Sequence, residues 1–203
     1  MKTKILKIKG DWEEVVNDCR ATVKKTPLGH EPSKAFRKKI LLAEHSPIRD
    51  IVVKFSWPDI PYWVAMHWKT HHWESRVDSQ RNDRQSRYDR EEAPQKAPVD
   101  FFGDCNAQHL IDTWRKRLCF MASPETRGYA EDFKRVLYER EPEIADVLVP
   151  NCIYRCGCPE MKTCGWYDAA VRKYPELANT DIQTRYDAYN RVFMERGENI
   201  ALD

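Results

Sequence analysis

No stretch of the 203-residue chain is apolar over the ~20 residues a bilayer-spanning helix needs. The start, MKTKILKIKGDW, has basic residues but no continuous apolar core behind them, so it does not read as a secretory leader. Net charge is also scarce: 34 Lys and Arg stand against 32 Asp and Glu, leaving +2. That excludes a global electrostatic footprint for nucleic acid, and any anion site has to be a local concentration of cations. His-Glu-x-x-His is missing. His67 and His71 have the spacing, but Trp68 follows the first histidine and no glutamate lies between them, which argues against a zinc-protease motif. The seven cysteines form no C-x2-C knuckles. Without a leader they point to a reducing compartment, with thiols free or metal-bound, and the expected location is the cytoplasm.

What is present is a soluble composition, 41% hydrophobic and 33% charged, long enough for one domain with a real core. KILKIK alternates and predicts a strand over Lys4–Lys9. DWEEVVNDCRATVKK, acidic first and basic last, predicts a helix. A second helix follows Ser33 as cap. IRDIVVKFSW, rich in β-branched and aromatic residues, predicts a strand that WPDIP breaks. YWVAMHWKTHHW reads as an apolar helix with a polar end, placing His67 and His71 on one face. From Glu74 to Gly103 the apolar pattern fades, and REEAPQKAP reads as a linker. Leu110, Ile111, Trp114, Leu118 and Met121 have helical spacing behind Asn106 as N-cap. Ser123 and Pro124 open a further helix. A cysteine-rich loop at 150–165 precedes helices around Tyr167–Tyr174 and Asp181–Arg196, a helical tail at 166–203. The class is α/β, rich in helix, with two or three strands.

Three constellations carry chemistry. Arg76, Arg81, Arg84, Arg87 and Arg90 make either a solvated loop or an anion pocket of guanidinium forks. Arg117 lies on the apolar stripe of its helix, where a cation needs an acidic partner or an anionic ligand. Cys152, Cys156, Cys158 and Cys164 offer four thiols, enough for a structural zinc site, although the spacing is unusual for one.

The order of these motifs resembles the flavin-dependent thymidylate synthases. EHSPIRDIVVKFSW is similar to that family's Ser-Pro-then-strand segment. WVAMHWKTHH is similar to the helix ending in Arg-His-Arg, and NDRQSRY to the remainder of that signature. NAQHLIDTWRKRL with ETRGYA resembles the helix pair that closes the active site. NCIYRCGCPE with its later CG is similar to a cysteine-rich tail in some members. The resemblance covers about Cys19 to Gly165.

It implies a single domain over 1–203, with a small, mostly antiparallel sheet packed with long helices. It further implies a homotetramer with sites shared between subunits, FAD as cofactor, and NADPH and methylenetetrahydrofolate as co-substrates. The substrate would be a pyrimidine deoxynucleotide monophosphate, dUMP becoming dTMP by default. Residue by residue, His71 with His72, Asn106, Gln108 and Asp112 fall at flavin-side positions. His67, Asp83, Gln85 and Arg87 fall at nucleotide positions, and Arg117 matches the arginine that reads and polarises the pyrimidine. The chain departs from the pattern in several places. Thr70-His71-His72 lacks both flanking arginines, His67 replaces a Gln, and Asp50 replaces a His. Gln108 and Asp112 replace an Arg and an Asn or His. Only 17 residues separate Tyr88 from Asn106, leaving Arg90 and Lys96 to stand in for a phosphate-binding arginine.

The departures leave other readings in view. One is methylation or hydroxymethylation of a different pyrimidine nucleotide such as dCMP. Another is a non-catalytic nucleotide-binding homologue. The last is a zinc-stabilised nucleic-acid binder, against which the low net charge and the acids within the arginine run count.

Overall fold

In the computed structural model, residues 3–195 are described. The elements are β1 (Lys4–Lys9), α1 (Trp12–Ala21), α2 (Lys34–Leu42), β2 (Val52–Pro61), α3 (Tyr62–Lys69), β3 (Glu74–Val77), β4 (Pro98–Asn106), α4 (Ala107–Arg117), α5 (Pro124–Tyr138), α6 (Pro142–Asp146), α7 (Asn151–Tyr154), α8 (Trp166–Lys173) and α9 (Ile182–Glu195). Short 3-10 turns occupy Ser46–Asp50 and Pro175–Ala178. The four strands are ordered β1-β2-β4-β3 and every pair is antiparallel. This is the α-rich α/β class expected, with one more strand than the upper expectation. No helix among the described residues is long and apolar enough to cross a membrane.

Side chains that satisfy orphan N–H groups set the helix starts. Ser33 accepts from the Phe36 N–H, Asn106 from His109 and Ser123 from Thr126. The strands differ more from expectation. Ile48–Asp50 belong to a 3-10 turn, because Pro47 suits a first helical turn and not a paired strand. WPDIP does not end β2. The ladder with β4 slips between Trp57 and Ile60, Asp59 takes φ +53°, and its N–H donates to Asp100 Oδ1 at 3.1 Å. A bulge of this kind tolerates the missing N–H of Pro58. The stretch read as patternless holds β3 and β4. In β4, Val99, Phe101, Gly103 and Cys105 face inward and alternate with less buried residues. α3 stops at Lys69, so His71 lies past its end rather than on its face, and Met121 is exposed beyond the end of α4. Arg196 and the tail beyond it lie outside the described residues.

One continuous core runs from Ile5 to Phe193. Its centre is aromatic. Phe55, Trp57 and Phe101 from the sheet meet Trp68 of α3, Trp114 of α4 and Phe133 of α5. Gly103 sits opposite Phe55, and a Cβ there would lie 2.5 Å from the ring. Lys134 of α5 is fully buried beside this core. It donates to the Ala145 carbonyl at 2.5 Å and to Asn190 Oδ1 at 2.7 Å, and it faces Tyr189 and Phe193. Desolvation dominates and brings its pKa down to about 7, opposed by Asp146.

Two outcomes follow for stability. Gly103→Ala should cost roughly 1–3 kcal/mol in urea unfolding, since Phe55 has packed neighbours on every side. For Lys134, the unfolded chain binds more protons than the folded one between the folded value of about 7 and the unfolded value of about 10.4. Stability should therefore rise with pH across that window, by up to about 1.4 kcal/mol per unit from this group. Lys134→Met should remove that slope, read as urea midpoints at pH 7 to 9 for both proteins.

Candidate functional site

The chain turns from sheet to helix at Asn106, whose Oδ1 caps α4 by accepting from the His109 N–H at 2.9 Å. Two clefts open around this joint and share His71, His72 and His109. The larger, about 630 Å³, adds Lys9 and Val52, then Trp73 and Glu74, then Asp104 and Asn106 from β4. The smaller, about 250 Å³, adds Asp112, Thr113 and Lys116 from α4. Cavities of such size with a few convergent polar groups suit a cofactor or small ligand. Asp104 has an unmet capacity here: its Oδ1 is buried, lies 3.3 Å from Arg76 Nη2, and accepts no hydrogen bond.

His71 is the most perturbed histidine of the group. Burial first, then Arg117, Lys116 and His72, lower its pKa to about 4, so it is neutral at physiological pH. Arg117 Nε donates to His71 Nε2 at 2.8 Å, which puts the imidazole proton on Nδ1. Arg117 Nη2 donates to the His67 carbonyl at 2.8 Å, and the guanidinium lies 5.8 Å from the Trp68 ring centroid. Both hydrogen-bond partners are neutral. No carboxylate pairs with Arg117 among the described residues, and burial lowers its pKa. The cation expected to need a partner thus stands behind His71, one residue removed from the cleft.

The other expected site residues divide. His71, His72, Asn106 and Asp112 line the clefts. Gln108 does not; its Nε2 donates to Glu44 at 2.7 Å and to Asp112 at 3.3 Å. Glu44 also pairs with Arg115, which stacks 3.5 Å from the Tyr154 ring centroid. The His67 ring is exposed, with Nδ1 3.3 Å from Thr126 Oγ1. Asp83, Gln85 and Arg87 lie in the loop before β4. Asp83 pairs with Arg81 through two bonds, and Gln85 Oε1 accepts from the Arg87 and Tyr88 N–H groups. Arg87 meets Asp59 and Asp100 at 3.3 Å and Asp78 at 3.9 Å. Asp100 and Asn106 are six residues apart along β4, about 20 Å, so one chain does not bring this loop to the cleft. The arginine run is largely paired within the protein: Arg76 with Asp104, Arg81 with Asp83, and Arg90 over Tyr62.

Of the thiols, Cys152, Cys158 and Cys164 line a third, small cavity, joined by Cys119 rather than Cys156. Burial pushes Cys152 up to about 12. Among the described residues no three His, Cys, Asp or Glu side chains are grouped closely enough to hold a metal as they stand.

Sequence reasoning missed Lys9, Trp73, Glu74, Asp104, His109, Thr113 and Lys116. His109, Asp112 and Lys116 share one face of α4, spaced three and four apart, and that polar stripe was readable beside the apolar one. Lys9 and Asp104 arrive through strand pairing, which leaves no local signal.

No protein-family model matches the sequence, and no curated protein matches it. The fold has counterparts among solved structures. The crystal structure of the UMP/dUMP methylase PolB from Streptomyces cacaoi, bound with 5-Br dUMP, superposes with a TM-score of 0.56 at 11% identity, over 72% of this chain and 93% of that one. At that identity the likeness establishes the fold alone, a small antiparallel sheet packed with helices.

Proposed function

We propose that the chain is a flavin-dependent methyltransferase that carries a one-carbon unit from methylenetetrahydrofolate to C5 of a pyrimidine deoxynucleotide monophosphate, dUMP by default. The observation that carries this reading is Arg117. It is half-buried, has neutral hydrogen-bond partners, and is joined to a neutral histidine on the wall of a ligand-sized cleft. A desolvated guanidinium without a carboxylate is best explained by an anionic or electron-rich ligand. The structural neighbour is described as a UMP/dUMP methylase and holds 5-Br dUMP, which supports a pyrimidine nucleotide here.

The cleft residues fit a flavin. Lys9 and Lys116 offer charge for phosphate oxygens, Trp73 an aromatic wall, and the unsatisfied Asp104 Oδ1 an acceptor for a ring or sugar donor. Neutral His71 offers one fixed Nδ1–H donor and no charge, so it orients a ligand rather than neutralising it. When bound, FAD reduced by NADPH would supply the redox chemistry of the transfer. Arg117 holds the His71 tautomer and places positive potential behind it, which favours a pyrimidine carbonyl that gains electron density. Asp83, Gln85 and Arg87 reach such a site from a second subunit of a homotetramer. There Arg87 would exchange part of its carboxylate pairing for substrate phosphate.

One observation favours dCMP as a variant substrate. The Asp112 carboxylate is 54% exposed and lines the cleft, and carboxylates accept from the exocyclic amine of cytosine.

Purified protein should show the two visible absorption bands of a flavin, released as FAD on denaturation; a colourless protein that also fails to take up added FAD would sink the reading. Arg117→Met should raise the His71 pKa above about 4 in imidazole NMR titration, because it removes the nearest cation and the donor to Nε2. It should also lower kcat by roughly 10²–10³. Asp112→Asn should shift the kcat/KM ratio from dCMP toward dUMP by about tenfold or more, because bound nucleotide would cover this exposed carboxylate and leave a mismatched pairing buried. An unchanged ratio would remove Asp112 from substrate selection.

A further inference from the structure

Four thiols line one small cavity at the far end of α4: Cys119 just past that helix, Cys152 in α7, and Cys158 and Cys164 in the following loop. They lie on three chain segments that share no strand pairing. Cys152 is buried, Cys119 and Cys158 are partly buried, and Cys164 is exposed at the rim. Cys156, in the middle of the same sequence cluster, is turned elsewhere. Its Sγ donates to the Ala178 carbonyl at 3.3 Å and accepts from the Tyr167 hydroxyl at 3.6 Å.

The loop from Arg155 to Gly165 has no buried side chain, so no apolar anchor fixes it; Met161 is fully exposed. The loop lines the cavity with Cys158, Pro159, Glu160 and Cys164. Trp166 also lines the cavity; it is 6% exposed, its ring stacks on Phe120 at 5.2 Å, and its Nε1–H is buried with no hydrogen-bond partner. An orphaned buried N–H is costly. A metal-bound thiolate is a strong acceptor for such a donor, and outer donors of this kind are the usual companions of a sulfur-ligated ion.

We propose that Cys119, Cys152, Cys158 and Cys164 form a structural site for a zinc-class divalent cation, with the Trp166 N–H donating to one of the ligating sulfurs. Each thiol releases its proton to solvent as it ligates. No three of these side chains stand at binding distance from one point in the present arrangement, so ligation draws the loop of Cys158 and Cys164 inward by rotamer change and a small backbone shift. No buried side chain between Cys158 and Cys164 resists that shift, while Cys156, bonded to the Ala178 carbonyl, stays in place. The site does not depend on the proposed methyl transfer, and it replaces the 152, 156, 158, 164 set that sequence spacing suggests.

The test uses the full chain, reduced and freed of metal with a chelator. Co²⁺ titration of the wild type should give the intense near-ultraviolet sulfur-to-cobalt band and tetrahedral visible bands, saturating at about one ion per chain. Zinc should displace them, and protein isolated from zinc-supplemented medium should carry about one zinc by elemental analysis. Cys119→Ser and Cys164→Ser should each abolish the band, while Cys156→Ser keeps it. Cys164 is exposed, so its variant tests the site without altering the core. Absence of the band in reduced wild type overturns the proposal. So does a band that survives both Cys119→Ser and Cys164→Ser, or one lost on Cys156→Ser.

Discussion

Trp114 meets Trp68 at 5.3 Å, Trp73 at 5.9 Å and Phe133 at 4.3 Å between ring centroids, and its Nε1–H donates to the Ala130 carbonyl. This aromatic contact fixes α4 against α3, the turn before β3, and α5 at once. Large rings bury much apolar area and prefer tilted, interlocking arrangements, so small shifts of the helix lose many contacts. Everything assembled around the cleft depends on that placement. Asn106 caps the helix at one end of the contact, and Arg117 emerges one turn beyond Trp114, within reach of His71. The Trp68 N–H remains buried and unpartnered in the middle, a local cost that the packing around it outweighs.

The charges are sorted along the sheet. At the β2 bulge, Asp59, Asp78 and Asp100 surround the one guanidinium of Arg87 and leave that end negative in sum. At the other end of β4, Asp104 draws Lys54 and Arg76, while the cleft beyond sets Lys9, Lys116 and three histidines beside Glu74 and Asp112.

Local patterns in the sequence were sound guides wherever local physics decides. β1 is found over Lys4–Lys9 as its alternation indicates, and Ser33, Asn106 and Ser123 each cap the helix they precede, because a cap needs only its own next three residues. The misses are non-local. β4 escaped notice because Gly103 and Phe102 blur an alternation that only the paired β2 makes obligatory, and the bulge at Asp59 is stabilised by Asp100, far away in the chain. At the site, Arg117 was legible as a cation in need of a partner. Its partner was not, since helical spacing placed His71 on α3 when the backbone had already left that helix. For the thiols, spacing grouped Cys156 with its neighbours, whereas the path of the chain substitutes Cys119.

α4 is what relates the two ends of the molecule. Its 11 residues span about 17 Å, with the cleft at Asn106 and the thiol cavity at Cys119. Arg117 lies two residues before Cys119, past the last tryptophan that holds the helix down. The C-terminal turn of a helix frays unless something ties it. Here Leu118 is buried and Phe120 stacks on Trp166, so the segment carrying Arg117 is anchored through the wall of the thiol cavity. Whatever tightens that wall restrains the guanidinium that sets the tautomer of His71. The wall of the thiol cavity and the wall of the cleft are thus joined through a single helix end.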